Sequence, residues 1–176
     1  MNYKMMGRFI AQIVLIEAVF MLPALLISVG YGETDAVRGF LLAILICLAL
    51  GSLMFAFCRK AGRLFGVREG MVCVSFSWVA LSLLGALPFC LSGHISSYID
   101  ALFETVSGFT TTGASILSDV ESLPWGLLYW RSFSHWVGGM GVLVFLLAVA
   151  PGGRDKGFTM HLLRAESPGP DVGKLV

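Results

Sequence analysis

The sequence predicts an all-α integral membrane protein: a two-helix N-terminal hairpin followed by one helix–re-entrant loop–helix repeat, four spans plus a half-helix. Three observations predict it. Of 176 residues, 57% are hydrophobic and only 13% are charged, and mean hydropathy is +0.85. Soluble domains run near 45–50% apolar and about 25% charged. Four apolar stretches are each long enough to cross about 30 Å of hydrocarbon as a helix. A fifth is about half that length and ends in a run of threonines and a glycine. The same numbers exclude other classes. Disorder needs low hydrophobicity and high charge. Four cysteines are too sparse for a disulfide scaffold. A net charge of +1 leaves no concentrated basic face for nucleic acid. The length leaves no room for a large soluble domain.

The first span runs from about Phe9 to Gly30, broken only by Gln12 and Glu17. Lys4 and Arg8 precede it as in a signal peptide, but 22 residues exceed the roughly 7–15 of a cleaved apolar region. Glu17 is buried by position, and the sequence leaves open whether it is protonated or paired. The second span runs from Val37 to Cys58 with Arg38 at its edge, and the third from about Met71 to Ser92 without a charge. Helices are required, because every backbone polar group in lipid must be satisfied within its own segment. Pro23 and Pro88 predict kinks near the outer ends. Cys47, Cys58, Cys73 and Cys90 show no metal-type spacing and read as small apolar packing groups.

Basic residues set the orientation. Lys4 and Arg8 lie before span one. Arg59, Lys60, Arg63 and Arg68 lie between spans two and three, and Arg154, Lys156, Arg164 and Lys174 follow span four. Together they are ten of the twelve basic residues. Acidic Glu33, Asp35, Asp100, Asp119 and Glu121 fall on the other side. Both termini are predicted cytoplasmic. The basic link also suits lipid headgroups.

Between spans three and four lie Gly93 to Pro124, which a plain outer loop would make polar. Apolar residues instead recur at Ile99, Leu102, Phe103, Val106 and Phe109, the spacing of an amphipathic helix. Ser96 or Ser97 can cap its start, and Asp100 suits the first turn. About 12 residues reach roughly 18 Å, half a bilayer. Thr110-Thr111-Thr112-Gly113-Ala114-Ser115 then reads as an extended strand, since β-branched residues and glycine make a poor helix. A half-membrane helix entering and a strand returning is a re-entrant pore loop. Non-helical backbone at that depth survives only when enclosed by protein or lining a water-filled cavity. There its carbonyls can face a dehydrated cation. A surface helix with a flexible loop is the bland reading.

The fourth span, about Trp125 to Ala150, carries Arg131 and His135. A charge there needs a partner or a route to the interface. Arg131 therefore either pairs with Glu104 or snorkels outward. His135, one turn further on, reads as a packed neutral histidine. Gly138, Gly139 and Gly141 permit close helix approach. Trp125, Trp130, Tyr129 and Tyr98 suit the outer aromatic belt. A phosphate-binding loop is rejected, because Ala114 stands where the lysine is needed. An intramembrane hydrolase using Ser107 or Ser115 with His135 lacks a recognisable nucleophile motif, so no enzyme is expected.

The run Phe103-Glu104-Thr105-Val106-Ser107-Gly108-Phe109-Thr110-Thr111-Thr112-Gly113-Ala114-Ser115 resembles the Trk/Ktr family of bacterial potassium uptake proteins. The run Trp130-Arg131-Ser132-Phe133-Ser134-His135-Trp136-Val137-Gly138-Gly139-Met140-Gly141 resembles that family's second signature. The resemblance implies a hairpin (residues 1–66), the first of four pore-forming repeats (67–153) and a cytoplasmic tail (154–176). It also implies that backbone carbonyls of Thr111, Thr112 and Gly113, with Thr110 beside them, form one filter strand for potassium. Glu104 and Arg131 would support that strand. No cofactor is implied beyond potassium as substrate. The implied partners are the remaining pore repeats or further copies of this chain, a cytoplasmic nucleotide-binding regulatory subunit and membrane lipid, with no nucleic acid. The implied location is the inner (plasma) membrane. One repeat supplies a quarter of a filter, so the expectation is a portion of a longer transporter. The alternatives are a homotetrameric channel and a non-conducting anchoring module.

Overall fold

The computed structural model describes residues 3–58 and 67–149, and every regular element among them is helical. The helices are α1 (Tyr3–Gly30), α2 (Thr34–Phe57), α3 (Val67–Gly85), α4 (Leu87–Leu91), α5 (Tyr98–Phe109) and α6 (Trp125–Val149). Among the described residues, three stretches are long and apolar enough to cross a membrane: Lys4–Gly30, Thr34–Phe57 and Val72–Leu91. The expected fourth span is one helix of 25 residues, α6. The tail and the link carrying Arg59, Lys60 and Arg63 lie outside the described residues, as does the side chain of Arg68.

α1 and α2 form a hairpin because each presents a stripe of small residues. Ala11, Val14, Ala18, Met21, Ala24 and Ser28 are buried on α1. Ala36, Gly39, Ala43, Cys47 and Gly51 are buried on α2. These recur every three or four residues, and where Gly51 lies against Ala11 and Leu15 the two helices approach closely. The turn between them needs Gly32 at φ 72°, and the Glu33 N–H closes onto the Ser28 carbonyl at 2.9 Å. The outward faces stay apolar: Leu26, Val29, Leu41, Leu45 and Leu53 are all exposed, as lipid contact requires.

The third stretch is broken where proline predicts it. α3 ends at Gly85, and α4 restarts with Pro88 in its first turn. Pro23, by contrast, sits inside an uninterrupted α1. α2 meets α4 at Gly39, where a Cβ would come within 2.9 Å of the Pro88 carbonyl and the Ser92 nitrogen. α3 is tied to α1 by the Cys73 thiol, 3.8 Å from the Met6 carbonyl.

One sequence expectation is overturned here. Trp130 is not in an interfacial belt. It is buried, and its indole N–H donates to the Gly85 carbonyl at 2.9 Å, fastening α6 to the break between α3 and α4. That carbonyl sits at a helix end and lacks an intrahelical donor, so a buried tryptophan satisfies it. With Phe40, Phe89, Met21 and Leu127, Trp130 forms the core on which α5 rests.

Candidate functional site

α5 starts where its sequence says it should. The Ser97 side chain accepts from the Asp100 N–H at 3.4 Å, and Asp100 lies in the first turn. The Tyr98 hydroxyl donates to the Leu83 carbonyl at 2.8 Å and anchors that end to α3. The polar face of the helix, Glu104, Thr105, Ser107 and Gly108, points inward. Gly108 lies against Ser134, and Gly138 lies against the Phe109 backbone carbonyl. A Cβ at either glycine would overlap its neighbour. Two glycines thus set how closely α5 and α6 approach.

The segment after α5 departs from the extended strand that its composition predicts. Thr111 has φ 55° and Gly113 φ 75°. The Thr111 N–H donates to the Gly108 carbonyl at 2.9 Å and the Thr112 N–H to the Ser107 carbonyl at 3.0 Å. This is the helix-ending pattern in which a left-handed residue closes two orphan carbonyls, a place usually held by glycine. A β-branched residue there costs about 1–2 kcal/mol, and such strain gathers at functional sites. The Gly113 N–H also leans toward the Ser107 carbonyl at 3.5 Å. In a trans peptide the N–H points opposite to the preceding carbonyl. With three successive N–H groups turned back to the helix, the carbonyls of Thr110, Thr111 and Thr112 all point away from it.

Hydroxyl groups hold this turn. The Thr110 hydroxyl donates to the Val106 carbonyl at 2.7 Å and stands 2.8 Å from the Thr112 hydroxyl. Since Thr110 has spent its one proton, Thr112 is the donor between them. The Ser107 hydroxyl donates to the Ala114 carbonyl at 2.5 Å.

Glu104 holds the rest. Its carboxylate is 1% exposed. It accepts from the Ser115 hydroxyl at 3.0 and 3.1 Å, from the Ile116 N–H at 3.1 Å and from Arg131 Nε at 2.5 Å. The Arg131 side chain is largely buried. The structure therefore brings Glu104 and Arg131 together, the first of the two readings open for Arg131. His135 Nδ1 lies 2.8 Å from the Arg131 carbonyl, one turn back on its own helix. One buried carboxylate joins α5, the returning loop and α6.

Sequence reading names Ser107, Ser115 and Glu33 but misses their structural roles. Ser115 is eleven residues from Glu104, a spacing with no periodic meaning. Glu33 is further still: its two carboxylate oxygens accept from the N–H groups of Trp125 and Gly126 at 2.6 and 3.2 Å. It caps the start of α6, 92 and 93 residues away, instead of its own helix, for which it makes no side-chain cap. The available signal was that α6 follows Pro124 without a side-chain cap of its own.

A family model described as TrkH, a cation transport protein, matches residues 37–174. A Trk system potassium uptake protein TrkH from Halomonas elongata is 34% identical over 171 residues, covering 97% of this chain and 35% of its own length. TrkH from Escherichia coli K12 is 36% identical over 175 residues with the same shares. The crystal structure of the potassium transporter TrkH from Vibrio parahaemolyticus superposes with a TM-score of 0.75 at 27% identity, covering 94% of this chain and 36% of that one. The chain thus spans about a third of the length of the curated relatives it matches.

Proposed function

Because the chain belongs to the TrkH family of cation transport proteins, we propose that residues 93–124 are the pore loop of a potassium uptake transporter. α5 is the pore helix, and the segment from Thr110 to Gly113 is one of four filter strands. The observation that carries this reading is the shared direction of the Thr110, Thr111 and Thr112 carbonyls at the end of α5. A helix C-terminus adds its partial negative charge to the same place. Carbonyls so aligned can replace part of the hydration shell of a monovalent cation. Gly113 contributes the carbonyl that follows, its positive φ being cheap only for glycine.

Glu104 and Arg131 act as filter support. The pair touches no ion in this reading. It fixes the returning strand at Ser115 and Ile116, so that carbonyl positions do not relax around a bound cation. In the same reading residues 1–66 are the hairpin, 67–153 the first pore repeat and 154–176 a cytoplasmic tail. Both termini face the cytoplasm, and the protein sits in the inner membrane. The remaining repeats complete the pore, and a cytoplasmic nucleotide-binding subunit regulates it. The basic residues on the inner side support that orientation.

The test is a chimaera in which this chain replaces the matching third of the E. coli relative, in a strain lacking potassium uptake. Growth at limiting potassium is expected, and Gly113→Asp should abolish it or change the potassium-to-sodium preference. Unchanged uptake by that variant overturns the filter assignment. The chain by itself is expected not to restore growth. Rescue by the chain alone would mean that four copies assemble a pore.

A further inference from the structure

Ser107 uses its hydroxyl proton unlike its neighbours. A serine or threonine in a helix ordinarily bonds the carbonyl three or four residues back. Thr105 does so, donating to the Ala101 carbonyl at 2.8 Å, and Thr110 does so to Val106 at 2.7 Å. The Ser107 hydroxyl instead leaves its helix and donates to the Ala114 carbonyl at 2.5 Å, seven residues ahead. Ser107 is buried, although the Ala114 it holds is exposed. The backbone of the same residue acts on the two peptides before. Its carbonyl accepts the Thr112 N–H at 3.0 Å and lies 3.5 Å from the Gly113 nitrogen. Those contacts turn the Thr111 and Thr112 carbonyls away from α5, since an N–H and the preceding carbonyl are opposed in a trans peptide. The hydroxyl does the reverse to Ala114 and draws its carbonyl back toward the helix. The row of outward carbonyls therefore does not run on through residue 114. The reversal falls at Gly113, whose φ of 75° is cheap only for glycine.

Given a filter strand at residues 110–113, on which this inference rests, we propose that Ser107 is the positioning residue that ends the carbonyl row. Its hydroxyl withholds the Ala114 carbonyl from the ion path and fixes the peptide next to Gly113. Glu104, one turn earlier on the same face of α5, takes the next two residues, Ser115 and Ile116. The two roles differ. Glu104 sets where the returning loop lies, and Ser107 sets which way a peptide within it faces. Without the hydroxyl, the Ala114 carbonyl loses the donor that the structure gives it, and its peptide is free to turn toward the ion path. Selectivity depends on the number and stiffness of such carbonyls. A row that can rotate or lengthen adapts to the smaller sodium ion as well. Ser107 touches no ion; it acts through the backbone.

The test is made in the chimaera, with initial rates of potassium uptake and sodium competition normalised to the protein in the membrane. Ser107→Ala should lower the potassium-over-sodium preference about two- to tenfold, the span that one hydrogen bond covers, with the maximal rate little changed. A role in folding alone would lower the amount of protein and the maximal rate and leave the preference intact. Ser107→Thr keeps the hydroxyl and should keep the preference. Thr105→Val is the control, since it removes a buried hydroxyl of the same helix that bonds only within that helix, and it should also keep the preference. An unchanged preference in Ser107→Ala overturns the proposal, as does an equal loss in Thr105→Val. If Ser107→Ala fails to accumulate, Ser107→Cys, of similar size and a weak donor, is read in the same way. Gly113→Asp separates this role from the filter assignment beneath it. Where Gly113→Asp abolishes or alters uptake and Ser107→Ala does not shift the preference, the filter stands and the role of Ser107 falls. Where Gly113→Asp leaves uptake unchanged, both fall.

Discussion

Glu104 and Glu17 are equally buried carboxyls, each 1% exposed, and they are held in opposite ways. Glu104 meets a guanidinium from α6 and a hydroxyl and a backbone N–H from the adjacent Ser115 and Ile116 in the returning loop. Glu17 meets no protein donor among the described residues and is enclosed among packed side chains. A satisfied carboxylate acts as a joint: it fixes the loop after α5 to α6, at the place where an irregular backbone would otherwise be free to move. An unpartnered one sits in a seam that small residues already hold together by packing. Burial alone therefore does not tell what a charged residue does in a membrane helix; its donors do.

The sharpest way to break this contrast is to remove a partner of Glu104. Arg131→Met leaves a buried carboxylate without its cation and should cost about 3–5 kcal/mol. It should be read as a fall in the thermal unfolding midpoint in detergent, together with loss of uptake in the chimaera. Retained stability would mean that Ser115 and the Ile116 N–H suffice, and that the ion pair is incidental. Next in size is Gly138→Ala. The added methyl meets the Phe109 carbonyl, a backbone atom that cannot swing aside. Overpacking of this kind costs about 1–3 kcal/mol. Uptake should fall more than stability, because the atom displaced belongs to the residue just before the turn at Thr110.

These expectations also show what the sequence carried. The apolar stretches gave the long helices, since composition and length decide them without tertiary detail. The spacing of Ile99, Leu102, Phe103, Val106 and Phe109 gave α5, and Ser97 gave its start. The conformation of Thr110 to Gly113 was not legible. Local propensity favours an extended run of threonines, whereas the orphan carbonyls at the end of α5 draw Thr111 and Thr112 back into a turn. Trp130 was misplaced because an aromatic near a span end is ordinarily interfacial, and its acceptor at Gly85 is set by a helix break 45 residues earlier. Residues 110 to 113 could be named, but not the direction in which their carbonyls point, which depends on hydrogen bonds and not on residue type.

Glu33 marks an intermediate case, an exposed-edge carboxylate with backbone partners only. Glu33→Gln keeps the side-chain length and one good acceptor but removes the charge beside the α6 N-terminus. About 0.5–1 kcal/mol should be lost, the size of a capping interaction combined with a helix-dipole contact. The loss should shrink as salt is raised in the unfolding measurement. A salt-independent loss would make the contact a matter of geometry alone.

The smallest effect should come from Glu17→Leu. The substitution removes a polar group without stranding another, because no protein atom among the described residues donates to Glu17. Replacing an unpaired polar side chain by an apolar one of similar size is nearly neutral or stabilising. Leucine is close in volume, and the neighbouring cavity of about 70 Å³ can take up the difference in shape. The unfolding midpoint should therefore move by the equivalent of less than about 1 kcal/mol, several-fold less than for Arg131→Met. A loss as large as that of Arg131→Met would show that Glu17 has a strong partner in the folded protein. The two carboxyls would then be alike in kind, and the distinction between joint and seam would fail.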